Sequence, residues 1–203
     1  MRDDNFTNVP RQYRSILTAG RQLNFSMASD LHVGALLKAL VASKPGSRIL
    51  ELGTGTGLAT AWMADGLDKD SKLVTVDNNE SLMAVAKEHL KDERIEFVCA
   101  EGHDWIKQYD QGLFDLIFAD AIPGKYEIFE ETLELLKIGG FYVVDDMAEH
   151  ANWPRGHKDR VADFIRGIEL RKDLVTTKMN WSTGIIISVK VSPDLRWGKI
   201  NSK

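Results

Sequence analysis

Short apolar runs alternate with longer amphipathic stretches through the middle of the chain. Residues 48–52, 72–77, 94–99, 114–119 and 141–144 predict five strands. Residues 58–67, 80–90 and 126–136 predict helices, and a shorter helix is expected around 104–109. Gly139-Gly140 is expected to stop the third of these helices. Strict alternation of this kind implies a parallel sheet with helices on both faces. Upstream, residues 12–23 and 29–41 read as two further helices. Beyond the fifth strand the pattern changes. A helix over 155–170 precedes strands at 174–179 and 185–191, joined through Trp181-Ser182-Thr183-Gly184. Two strands joined so closely read as an antiparallel hairpin. That ending argues against an ordinary nucleotide dehydrogenase.

Composition narrows the partners. A chain of 203 residues with 43% apolar and 28% charged residues can bury one α/β core. The formal charge of −4 and the lack of a basic tract argue against nucleic acid as the main partner. No apolar run approaches the ~18 residues of a membrane span. The first residues, Met1-Arg2-Asp3-Asp4-Asn5, lack the apolar core of a signal peptide, so a cytoplasmic location is expected. Cys99 is the single cysteine, which rules out an intrachain disulfide. Its apolar surroundings in the third strand predict a buried core thiol.

Candidate chemistry begins at Ile49-Leu50-Glu51-Leu52-Gly53-Thr54-Gly55-Thr56-Gly57. A strand here runs into a glycine turn and then a helix. Gly53, Gly55 and Gly57 permit positive φ and close approach of a ligand to the backbone. The spacing is GxGxG rather than the dinucleotide GxGxxG, and no P-loop lysine follows. In an open parallel sheet, ligands sit beyond the C-terminal strand ends. Those ends carry Glu51, Asp77, Glu101-Gly102-His103, Asp120 and Asp145-Asp146. Asp77 stands 20 residues after Gly57, where an acid can accept ribose hydroxyls. So acidic an edge suits a ligand with hydroxyls, an ammonium and a sulfonium. It repels a pyrophosphate.

These features resemble the class I S-adenosylmethionine-dependent methyltransferases over about residues 25–191. The resemblance implies a Rossmann-like fold, a mostly parallel seven-stranded sheet with helices on both faces and a C-terminal antiparallel hairpin. It implies one domain over residues 1–203: an N-terminal helical segment (1–45), a cofactor-binding core (46–146), an acceptor-side helix and hairpin (147–191) and a tail (192–203). Gly53, Thr54, Gly55 and Gly57 would lie under the methionine part of S-adenosylmethionine, and Asp77 would hold the ribose. Asn78, Glu101, Gly102 and His103 would flank the adenine, and Glu51 would help position the cofactor.

A narrower similarity is to the small-molecule O-methyltransferases of the catechol and caffeoyl-CoA type. It is carried by Asn24-Phe25-Ser26-Met27, by Phe118-Ala119-Asp120-Ala121, and by Gly139-Gly140-Phe141-Tyr142-Val143-Val144-Asp145-Asp146. It implies cofactor contacts from Ser26, Met27 and Asp120. It implies a divalent cation, Mg²⁺ or another, on Asp120, Asp145 and Asp146, which would hold and acidify a substrate hydroxyl. It also implies a homodimer and a small-molecule acceptor. Those families often place a lysine base three residues after the strand-four Asp, and here Pro123 stands there. Lys125 follows two residues on, beyond a Pro-Gly turn expected to redirect the backbone. It is the candidate base. The alternatives are a base elsewhere, activation by metal alone, or different chemistry.

Blander readings stand beside these. Asp145-Asp146 would serve as a cap, and His103 as a first-turn helix residue. His150 and His157 would be solvated loop residues or substrate contacts, and Trp153 and Trp181 packing or pocket walls. The expected function is methyl transfer from S-adenosylmethionine to a small-molecule hydroxyl. The rivals are metal-independent N-methylation of a small amine, a non-catalytic cofactor-binding protein, and a nicotinamide dehydrogenase.

Overall fold

The computed structural model describes residue 6, residues 8–149, residue 153 and residues 155–192. Two N-terminal helices, α1 (Tyr13–Gln22) and α2 (Leu31–Ala42), precede the alternating core. The core runs β1 (Arg48–Leu52), α3 (Leu58–Gly66), β2 (Lys72–Asp77), α4 (Glu80–His89), β3 (Ile95–Cys99), α5 (Gly102–Gln108), β4 (Phe114–Ala119), α6 (Phe129–Glu134) and β5 (Leu136–Val144). Helix α7 (His157–Glu169) leads to β6 (Leu174–Met179) and β7 (Ile185–Lys190).

One seven-stranded sheet results, in the order β3-β2-β1-β4-β5-β7-β6. The first five strands pair in parallel. Strand β7 runs antiparallel between β5 and β6, so the hairpin closes one end of the sheet. This is the arrangement the resemblance implies. Successive strand residues point to opposite faces, and the core divides accordingly. Ile49, Leu73, Leu116 and Val143 pack beneath α2 and α3. Leu50, Val74, Ile117 and Tyr142 pack on the opposite face, with Ile106, Leu133 and Ile168 from α5, α6 and α7.

Local chemistry sets the helix starts. The Asp30 carboxylate accepts from the His32 and Val33 amides and caps α2, and Asn79 accepts from Leu82 to cap α4. Among the described residues no helix is long and apolar enough to cross a membrane.

Two expectations are corrected. Gly139-Gly140 does not stop a helix. Helix α6 ends at Glu134, and the pair lies inside β5, where the register against β4 shifts between Phe114 and Leu116. Gly139 takes φ +79, so the glycines make a strand irregularity that reads locally like a helix stop. Cys99 is exposed, not buried. It ends β3, an edge strand whose outer residues face solvent.

Candidate active site

The glycine turn sits at the C-terminal end of β1, and its conformation depends on what packs against it. Gly53 has φ +103, and a Cβ there would lie 2.7 Å from the Asp120 carbonyl oxygen just beyond β4. Gly55 has φ +51, and its Cβ would meet the Phe25 ring at 2.9 Å. The Gly55 amide donates to Asp77 Oδ2 at 2.8 Å. Gly57, also left-handed, opens α3.

Beneath the turn lies a buried hydroxyl–carboxyl network. Glu51 is fully buried, and its Oε2 accepts from Thr60 at 2.6 Å and from Thr75 at 2.5 Å. Thr54 is buried beside it, its hydroxyl 2.6 Å from that of Thr75. Glu51 Oε1 has no hydrogen-bond partner. Burial pushes the Glu51 carboxyl up to about 8, against the pull of the two threonine hydroxyls. The resemblance sets Glu51 and Thr54 at the cofactor. The structure sets both side chains under the turn, where they tie β1 to α3 and β2.

Asp77 ends β2 at the surface of the edge. Besides the Gly55 amide it accepts from Asn79 N–H through Oδ1 at 2.8 Å. One bond per oxygen leaves acceptor capacity for ribose hydroxyls, so the donor set fits the expected cofactor. Asn78 donates to Glu101 at 3.0 Å, across the ends of β2 and β3. Gly102 and His103 form the first turn of α5, and a Cβ on Gly102 would lie 3.2 Å from Pro123. Glu101, Gly102 and His103 therefore share one rim with Asn78. From the N-terminal segment, Ser26 and Met27 are exposed, Met27 at 78%. Phe25, which the sequence did not single out, is the member that covers the glycine turn.

The second half of the edge belongs to β4 and β5. The turn after β4 folds back on itself: the Lys125 and Tyr126 amides both donate to the Ile122 carbonyl. Pro123-Gly124 thus returns Lys125 to the site instead of leading it away. Lys125 is buried at 4% exposure. Its Nζ donates to the Asp145 carbonyl at 2.7 Å and lies 3.8 Å from Asp120 Oδ1. Burial pushes the Asp120 carboxyl well above the usual range, the Lys125 ammonium pulls it down, and Asp145, Asp146 and Glu51 push it further up. Burial likewise raises Asp145 to about 6, although the Thr183 hydroxyl donates to its Oδ1. The Asp146 amide donates to the same oxygen at 2.8 Å.

Aromatic side chains stand close by. Burial, with Asp146 adding to it, pushes the Tyr126 phenol up to about 12. Tyr126 lies 3.5 Å from His157 Nε2, and burial pushes that imidazole down. Trp153 packs edge-on against His157, and Trp181 against His32. His150 lies outside the described residues. Ser29, 3.5 Å from Asp120 Oδ2, escaped the sequence reading, as did Tyr126.

The expected metal site does not fit these side chains. Among the described residues no group of three or more His, Cys, Asp or Glu is disposed to hold a metal ion. At this edge Asp145 Oδ1 already accepts from the Thr183 hydroxyl and the Asp146 amide, and the buried Lys125 ammonium lies 3.8 Å from Asp120 Oδ1. A divalent ion there would have to share these carboxylates with that ammonium. The described residues thus give no support to a metal on Asp120, Asp145 and Asp146.

The sheet order, the glycine turn and the acidic edge define a class I methyltransferase fold. The chain belongs to the O-methyltransferase family, whose profile matches residues 12–181. The fold is shared with the O-methyltransferase TomG of Streptomyces achromogenes, involved in tomaymycin synthesis and solved with S-adenosylmethionine. The TM-score is 0.81 and the identity 24%, over 92% of each chain. It is shared too with a Bacillus cereus O-methyltransferase solved with S-adenosylhomocysteine, at TM-score 0.80 and 23% identity, over 93% of this chain and 94% of that one. In sequence the chain is 30% identical over 118 residues to a Mycobacterium ulcerans protein with a provisional O-methyltransferase name. That match spans 55% of this chain and about half, 53%, of the relative.

Proposed function

We propose that this protein transfers the methyl group of S-adenosylmethionine to a hydroxyl oxygen of a small molecule. The observation that carries the reading is the junction of the two half-sites: Asp120, paired with Lys125, touches the glycine turn through its own backbone at Gly53. When bound, S-adenosylmethionine supplies an electrophilic methyl on a sulfonium. The chain's task is then to orient and to exclude water. Asp77 and the Gly55 turn hold the ribose end. Phe25 covers the turn. Asp120, with its proton affinity raised by burial, accepts the proton of the acceptor hydroxyl, and Lys125 holds that carboxylate in place. Tyr126, His157 and Trp153 wall the acceptor side.

Calorimetry with S-adenosylhomocysteine, followed by a radiolabelled methyl-transfer screen over phenols, catechols and amines, tests the proposal. Micromolar binding together with label on a phenol or catechol oxygen is the expected result. Label on amines alone would replace it with the N-methylation reading. Binding without transfer to any acceptor would leave a cofactor-binding protein.

A further inference from the structure

Lys125 combines three properties that a surface lysine lacks. It is buried, its ammonium donates to the Asp145 carbonyl just beyond β5, and it faces the Asp120 carboxylate just beyond β4. The turn that delivers it is tightly specified. Gly124 takes φ +84, and a Cβ there would lie 2.3 Å from Leu52 Cδ1, so the chain can reverse at this point only with glycine. The reversal is closed by the Gly124 amide donating to Glu127 at 2.8 Å and by Tyr142, whose hydroxyl donates to the Gly124 carbonyl at 2.5 Å. A buried cation so placed serves the acidic strand ends as a bound metal ion would. It compensates their charge and fixes their geometry.

We propose that Lys125 is the resident cation of this site: its ammonium stands in for a divalent ion between Asp120 and β5, so that folding and ligand binding are independent of metal. Lys125 is on this view a positioning residue, acting through Asp120 and the β5 end. The consequence for turnover rests on the methyl-transfer reading. The cation assignment itself does not.

The test is Mn²⁺ titration of the metal-stripped full chain with S-adenosylhomocysteine, followed by electron paramagnetic resonance, beside thermal melts. Mn²⁺ is expected to stay free to about 1 mM, and ~5 mM MgCl₂ or EDTA to shift Tm by less than ~1 °C. Lys125→Met is expected to lower Tm by roughly 10 °C, or to fail to fold, because it leaves a buried carboxylate uncompensated. Lys125→Arg, which restores a cation, is expected to recover most of that loss and to remain blind to Mn²⁺. One Mn²⁺ bound per chain at micromolar concentration and lost in Asp120→Asn would overturn the proposal. So would Lys125→Met melting within ~1 °C of the wild type. If the methyl-transfer reading were wrong instead, no acceptor oxygen would take up label, while the Mn²⁺ and melting results would stand.

Discussion

Glu51 and Asp120 are carboxylic acids at the C-terminal ends of adjacent parallel strands, β1 and β4, and both are withdrawn from solvent. Their surroundings treat them oppositely. Glu51 is met by two threonine hydroxyls and no cation, and burial holds its proton on to about 8. It behaves as a neutral hydrogen-bonding strut. Asp120 is met by an ammonium, with further carboxylates around it. One position uses an acid to build the turn that holds a ligand. The other sets an acid, likewise pushed up by burial, beside an ammonium that pulls it partly back down. Identical side-chain chemistry is thus set in two environments that differ in whether a cation is buried with it.

Removing the cation should break this contrast most severely. Lys125→Met is expected to cost about 3–5 kcal/mol in urea unfolding, the range for breaking a buried ion pair from one side. Lys125→Arg should return most of it. Next comes the scaffold acid. The folded Glu51 carboxyl binds its proton more tightly than the unfolded one. Its contribution is therefore greatest below the unfolded value near 4.5 and declines as pH rises to about 8. The decline should be roughly 1 kcal/mol per pH unit, and Glu51→Gln should flatten it. Denaturant midpoints at pH 5, 6, 7 and 8 would show parallel curves if Glu51 carried no such shift.

A smaller effect is expected where the two halves meet. Gly53→Ala forces a side chain into a left-handed backbone against the Asp120 carbonyl. It should cost about 2 kcal/mol and weaken S-adenosylhomocysteine binding in the same calorimetric assay. The smallest effect falls to Thr183→Ala. It removes a hydroxyl that accompanies Asp145 and should cost about 1 kcal/mol. Carboxyl-selective NMR titration should then place the Asp145 midpoint higher than in the wild type. An unmoved midpoint would show that the Thr183 hydroxyl does not steady that carboxylate.

How much of this was legible beforehand depended on the range of the interactions involved. Strand β1, the glycine turn and Asp77 were readable because each is encoded by residues adjacent in the chain. Met27 and Cys99 mark the limit of that reading. Cys99 was expected in the core, yet its edge strand leaves it exposed, and Met27, expected at the cofactor, is exposed as well. Gly139-Gly140 deceived for a related reason, since a glycine pair that stops a helix and one that distorts a strand have the same letters. Phe25 over Gly55 and Ser29 beside Asp120 could not be read at all. The first pair is separated by 30 positions and the second by 91, and nothing local announces either contact.

By itself the sequence determined the alternating architecture, the closing hairpin and a ligand edge lined with acids, because hydrophobic periodicity and turn chemistry act over a few residues. Only the tertiary structure decided which acid is met by hydroxyls and which by an ammonium. That division depends on hydroxyls and an ammonium brought in from distant segments and on the loss of water around them. The fate of Lys125 shows it most clearly. A Pro-Gly turn expected to lead it away instead folds it beneath the sheet edge, where its ammonium meets the Asp145 carbonyl and stands beside Asp120.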